Sequence, residues 1–307
     1  MSILVYVESP YQLENAIKYL NTCQKSGGAR IVVRNNSNAT QFNQIENLVS
    51  SLELRNVSFI HLPGSGLARL LLYPLAVLVV FFKALFSTVI IIGDARSVVA
   101  SPLVKISEAF KKEIILVDDG LYLLSFIRRI LKKNYTIYTR LPLKSIIEES
   151  SSTLSFKPSE ILKFSCQNDF SGRVNFIGMK ISEIGFISEE SYINYLKEVR
   201  KKFKDCSFYY YSHRGESLKK LSLIEKVGYE VITPAMSIEI YLNEKGVYKG
   251  IYITFFSTAL YNLSLMVCDG IFYYIKVKGE AFPNLQTDSV LECYKLFKSA
   301  GLEELDI

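Results

Sequence analysis

Tryptophan is absent from the 307 residues, histidine occurs twice and cysteine five times. The missing tryptophan excludes nothing by itself. The cysteines exclude more: Cys23, Cys166, Cys206, Cys268 and Cys293 are far apart, odd in number and never in a CxxC pair. Neither a disulfide framework nor a zinc site is expected, and a reducing compartment fits best. Glycine (16) and proline (8) are scarce, which leaves little room for long loops. With 49% hydrophobic and 21% charged residues, disorder, collagen and low-complexity architectures are excluded. No Asp-x-Asp occurs, so the pattern by which many nucleotide-sugar enzymes hold a cation is missing and no metal is expected. The start, MSILVYVESPYQL, has no basic stretch and reaches Glu8 early; it reads as a buried strand rather than a signal peptide. The most apolar run, 70–82, is flanked by Arg69 and Lys83 and interrupted by Pro74. It falls short of the roughly 20 residues a membrane span needs. A core or interfacial helix leading into a strand is expected, the alternative being a helix on a membrane surface with Arg69 and Lys83 as anchors.

What is present is a mild basic excess and a regular alternation. Lys+Arg number 36 against 30 Asp+Glu, a net charge of +6. That is too little to argue for nucleic acid, but it suits an anionic ligand or an acidic membrane surface. Apolar β-rich runs at 3–7, 30–33, 57–61, 89–92, 114–117 and 136–138 alternate with helical patterns at 11–23, 41–52, 67–85, 98–110 and 121–132. A polar cluster, SSSTLS at 150–155, breaks the pattern. Strands at 208–211, 230–232, 251–254 and 270–275 then alternate with helices at 188–203, 217–226, 237–243, 258–266 and 288–299. Such alternation means parallel strands joined by crossover helices. The expected fold is α/β, with two Rossmann-like domains, 1–150 and 151–307, facing a cleft.

In open α/β sheets ligands bind beyond the carboxyl ends of strands. The polar residues that follow the expected strands are therefore the candidates: Glu8 to Gln12, Gly93 to Arg96, Asp118-Asp119-Gly120, Ser212-His213-Arg214-Gly215-Glu216 and Ser257-Thr258. Two carboxylates before a glycine form a tight turn, one cutting into the site and the other capping the next helix. A carboxylate base without metal is expected there. Ser212, His213 and Arg214, with Glu216 nearby, make an anion cradle: a planar guanidinium beside an imidazolium that stabilises a leaving phosphate. Ser257 and Thr258 open a helix whose first N–H groups bind phosphate or carboxylate. Each feature also has a plain structural reading as an ordinary cap or a packed histidine.

The ordered set VDDG (117–120), SHRGES (212–217), SIEIYL (237–242) and FFSTAL (255–260), with SPYQLENA (9–16) near the start, resembles the bacterial sialyltransferases. It is most similar to the lipooligosaccharide sialyltransferase family, glycosyltransferase family 52, and its polysialyltransferase relatives. The resemblance implies a GT-B-like fold whose first domain lies on the acceptor side and whose second binds the CMP donor. It implies inverting, metal-independent transfer of sialic acid or a related nonulosonate from CMP-sialic acid to a hydroxyl of a cell-surface glycan such as lipooligosaccharide or capsule. No cofactor beyond the donor is implied. The residues themselves lead to an expected place in the bacterial cytoplasm, peripheral at the inner face of the plasma membrane: 70–82 is too short to span, and Arg128-Arg129 with Lys132-Lys133 add a basic patch for anionic lipid. By resemblance, Asp118 is the general base and Asp119 positions it. His213 contacts the donor phosphate, Ser257 and Thr258 bind the donor phosphate or carboxylate, and Glu239 lies near the donor ribose. Arg214 stands where the family often has proline. Two other readings stay open: a transferase for another activated sugar in capsule or lipopolysaccharide assembly, and a non-catalytic membrane-surface protein anchored by 70–82.

Overall fold

The computed structural model describes residues 2–24, 28–63, 65–120, 122–143, 154–159, 161, 172–247, 249–277 and 287–307. They form two compact units, Met1–Glu160 and Ile161–Ile307.

The first unit alternates β1 (Ile3–Val7), α1 (Pro10–Thr22), β2 (Ala29–Asn35), α2 (Ala39–Ser51), β3 (Val57–His61), α3 (Leu67–Leu85), β4 (Val89–Ile92), α4 (Ala100–Ala109), β5 (Glu113–Val117), α5 (Tyr122–Ile130), β6 (Thr136–Thr139) and β7 (Ser155–Pro158). All pairings are parallel, in the order β3-β2-β1-β4-β5-β6-β7. Parallel strands buried on both faces need continuous apolar runs, not alternating ones. β1 (ILVYV) and β4 (VIII) satisfy this at every position, with Ile3 in register with both Ala29 and Val89. The turn from β1 into α1 is fixed by Ser9, whose Oγ accepts from Gln12 N–H at 3.2 Å, and by Pro10 in the first turn.

The second unit follows the same plan: β8 (Arg173–Ile177), α6 (Glu189–Lys202), β9 (Ser207–Tyr211), α7 (Leu218–Val227), β10 (Glu230–Ile232), α8 (Ile238–Glu244), β11 (Gly250–Thr254), α9 (Thr258–Met266), β12 (Gly270–Tyr274), α10 (Thr287–Ser299) and β13 (Glu303–Glu304). Its sheet is parallel in the order β10-β9-β8-β11-β12-β13.

The structure departs from the sequence reading in three places. The short strands β7 and β13 and the central strand β8 were not expected. In β8 (RVNFI) a buried Asn175 and an outer arginine interrupt the apolar run, yet Val174, Phe176 and Ile177 are buried and Asn175 is held by Arg173 Nε at 2.7 Å. Because β7 pairs with β6, the first unit extends to residue 160, past the expected division at 150; the break expected at 150–155 falls mostly outside the described residues. Finally, α3 and the strand after it lie where expected, but of the two placements expected for the helix, core or interfacial, the core one is not met. Only Ala76, Val80 and Ala84 are buried, while Leu67, Leu70, Leu71, Leu75, Leu78 and Phe82 are exposed.

Candidate functional site

In the first sheet the winding direction reverses between β1 and β4, so the loops after these strands part and leave a crevice at their carboxyl ends. Gln12 lines it from α1. Its Oε1 accepts from Glu8 N–H at 2.7 Å and its Nε2 donates to Asp119 Oδ1. A Cβ on Gly93 would stand 2.2 Å from Gln12 Oε1, so glycine after β4 is what lets the glutamine cross to β5. A small hollow, with room for about one water molecule, opens here between Gly93, Asp94, Arg96 and Asp119, with Leu116, Leu123 and Phe126 as its apolar wall.

The two adjacent carboxylates differ sharply. Asp118 is fully buried. Its Oδ1 accepts from Gly120 N–H at 2.8 Å, and its Oδ2 accepts from Thr139 Oγ1 at 2.9 Å and Arg140 N–H at 3.3 Å. The expected base is thus a tie between the ends of β5 and β6. Asp118→Asn replaces an acceptor by an amide facing backbone donors, which costs about 1–3 kcal/mol. A melting temperature lower by several degrees is expected; an unchanged one would refute the tie.

Asp119 is the carboxylate that borders the pocket, its side chain 19% exposed. Arg96 Nη2 donates to Asp119 Oδ2 at 2.9 Å and to Asp94 Oδ2 at 3.0 Å, while Arg96 Nε reaches Asp94 Oδ1 at 2.7 Å. Burial, reinforced by the charge of Asp94, pushes the Asp119 carboxyl up to about 7 against the opposing pull of Gln12 and Arg96. A carboxylate poised near neutrality, at a strand end and beside a pocket, is suited to accept a proton. The strand-end rule names Gln12, Asp94 and Arg96; only the strand order joins them to Asp119.

In the second sheet the reversal lies between β8 and β11. His213 follows β9. Gly215 N–H donates to its Nδ1 at 3.0 Å, which leaves the proton on Nε2. Burial, then the charges of Arg214 and Lys180, bring the imidazole down to about 3. It is therefore a neutral donor at neutral pH, not the expected imidazolium. Lys180, after β8, is a cation that sequence reading missed because β8 itself was missed.

Glu216 does not face a ligand. Its carboxylate, with no side-chain exposure, accepts from His213 N–H at 2.6 Å, Tyr210 OH at 2.5 Å and Lys220 Nζ at 2.7 Å. Lys220 is itself fully buried, 3.5 Å over the Tyr192 ring and 2.9 Å from Met179 O. Met179 N–H donates to Tyr192 OH, which lies 2.7 Å from Tyr210 OH, so a chain of donors ends on Glu216. A Cβ on Gly178 would stand 2.5 Å from Glu216 Oε2, so glycine is needed after β8 as well. The network fixes the turn that presents His213.

Of the remaining candidates, Glu239 is buried and Ser212, Ser257 and Thr258 are half-buried. Glu239 accepts from Asn262 Nδ2 at 2.7 Å. Ser212 Oγ donates to Thr233 Oγ1 at 2.9 Å. Ser257 caps α9, accepting from Ala259 N–H at 3.3 Å, and Thr258 is its first residue, so the helix start does lie at the carboxyl end of β11.

No protein-family model and no curated protein sequence matches the chain. Solved structures do. The GT-B domain of a sialyltransferase from Photobacterium damselae matches with a TM-score of 0.54 and 10% identity, over 99% of this chain and 100% of that one. A UDP-N-acetylglucosamine 2-epimerase from Rickettsia bellii matches with a TM-score of 0.59 and 12% identity, over 91% and 79%. Acinetobacter baumannii MurG matches with a TM-score of 0.51 and 10% identity, over 99% and 85%. At these identities the likeness is one of fold: two parallel-sheet α/β units of the GT-B type.

Proposed function

We propose that the protein is a glycosyltransferase that moves a sugar from a nucleotide-activated donor to a hydroxyl, with Asp119 as base, and that the donor is CMP-sialic acid or a related CMP-nonulosonate. The observation that carries the reading is Asp119: a carboxyl with its pKa near 7, bordering a pocket at the winding reversal of a GT-B-type unit. The base assignment moves here from Asp118, whose oxygens are used within the fold.

The acceptor O–H gives its proton to Asp119. The acceptor oxygen bonds to the anomeric carbon as the bond from that carbon to the phosphate oxygen of CMP breaks. Direct displacement inverts the centre through an oxocarbenium-like transition state, as in inverting glycoside hydrolysis. The departing phosphate gains charge, for which His213 Nε2–H, Lys180, Arg214 and the first N–H groups of α9 are the donors of choice. Arg96, which bridges Asp94 and Asp119, takes the place a divalent cation would have between two carboxylates, and this favours transfer without metal. CMP over UDP rests on the ordered motifs and on the sialyltransferases among the fold neighbours; those neighbours also include enzymes of UDP-sugars. The acceptor class is a cell-surface glycan of the lipooligosaccharide or capsule type.

Donor choice is tested by thermal shift and transfer assays with CMP- and UDP-linked sugars, with and without EDTA. CMP at about 100 Kd stabilises a folded site by ~2.7 kcal/mol, a shift of several degrees. Transfer is expected from the CMP-sugar and to survive EDTA. His213→Ala should lower turnover roughly 10²–10³-fold, as loss of one oxyanion-type donor does, and weaken CMP binding. A shift with UDP alone overturns the donor; restoration of EDTA-treated enzyme by manganese overturns the metal-free route.

A further inference from the structure

The outer face of α3 reverses the usual arrangement of a surface helix. A helix facing water turns its polar side out. Here the outward residues are Leu67, Leu70, Leu71, Leu75, Leu78 and Phe82, with Phe86 at the C-cap 72% exposed. The inward row is small, Ala76, Val80 and Ala84, so the helix sits close to the sheet and spends its bulk on the outside. A monomer rarely leaves so long an apolar stripe bare.

Charge marks what covers it. Between Glu53 and Asp94 the chain has no carboxylate, but it has Arg55, Arg69 and Lys83. At the C-terminal end of α3 the exposed Phe110 and Lys111 lie beside Lys112, which donates to Leu85 O at 3.1 Å and so ties the end of α4 to that of α3. Exposed aromatic rings next to lysines suit the boundary between lipid headgroups and acyl chains.

Nineteen residues are long and apolar enough to cross a bilayer by length and composition. The fold forbids it. α3 is the crossover between β3 and β4 of one sheet, Tyr73 OH donates to Val98 O at 3.2 Å, and Lys83 Nζ donates to Ser58 Oγ at 3.0 Å. A helix held along its length by its own domain can lie in an interface but cannot leave to span one.

We infer that α3 is a docking surface for an anionic lipid bilayer, lying flat with its Leu/Phe stripe about 5–10 Å into the headgroup–acyl boundary. The inference is independent of the donor and of the base. Its test is flotation of the full chain with vesicles of phosphatidylcholine alone or enriched in phosphatidylglycerol. The wild type floats with the enriched vesicles, less at high salt. Leu71→Glu/Leu75→Glu/Leu78→Glu loses partitioning on the order of a hundredfold with a melting temperature near wild type, since these side chains face outward. A second measurement does not depend on that variant's folding. The chain has no tryptophan, so Leu78→Trp is a single reporter whose emission shifts blue on adding enriched vesicles. A wild type that stays with the vesicle-free fraction, a triple variant that floats undiminished, or an unshifted Leu78→Trp overturns the inference. So does a dimer that the triple variant dissociates without any vesicle binding, which would make a second copy of this chain the occupant.

Discussion

Asp119→Asn should lower turnover by roughly 10²–10⁴, the usual contribution of a general base, with little change in CMP affinity. Asn keeps the shape, and an acceptor for Gln12, but takes no proton. Turnover of the wild type should rise with pH through about 7 as Asp119 deprotonates, and the variant should lose that limb. Stability supplies an independent sign. A carboxyl raised above its ordinary value favours the folded state when protonated. Its contribution is therefore present below about pH 4 and is lost as pH rises towards 7. Asn also sets an amide against Arg96 Nη2, so the sign is read from the trend: between pH 4 and 8 the melting temperature of Asp119→Asn should fall less than that of the wild type. Near-wild-type turnover by Asp119→Asn would remove the base assignment, whatever the donor.

Lys220→Met should destabilise the second unit by about 3–5 kcal/mol, because it leaves Glu216 buried without its cation. Burial already pushes the Glu216 carboxyl up, and Lys220 is the chief influence pulling it back. A fall in melting temperature of roughly 10 °C follows. The double variant Lys220→Met/Glu216→Gln, which removes the fully buried charge and leaves only the part-exposed Glu183 without its cation, should recover much of the loss. An additive double variant would mean that the two groups act separately. The pair also holds His213 N–H, so any folded Lys220→Met should bind CMP more weakly than its residual stability explains.

Much of the architecture was legible: β1, β3, β4 and β10 lie at the expected residues, the inner strands β1 and β4 as unbroken apolar runs and the edge strands β3 (VSFIH) and β10 (EVI) as mixed ones. β8 escaped because Asn175 interrupts its run, although strand pairing buries that side chain completely. Losing β8 hid Lys180. The strand-end rule found the DDG turn but did not say which carboxylate faces the pocket; neighbouring residues at a strand end point different ways, and only the contact with Thr139 and Arg140 of a strand twenty residues on decides it. The state of His213 was likewise hidden, since its proton is set by burial, by Gly215 and Arg214 beside it, and by Lys180 on a loop that was not expected. The composition of α3 was plain, but which of its faces looks outward depends on the sheet beneath it.

The register that pairs Ile3 with both Ala29 and Val89 also orders events in time. β1 meets β2 across the single crossover helix α1, but its other neighbour is made only after the whole of β2, α2, β3 and α3 has been synthesised. Closing so long a loop is slow, and non-local parallel pairing is among the slowest steps in folding. At the end of that interval the apolar α3 segment has been made while β4, which completes the sheet beside it, has not. The nascent first unit should therefore be aggregation-prone until β4 emerges, and chains truncated before Val89 should be recovered as insoluble protein or bound to chaperone, whereas chains reaching the end of the first unit should not.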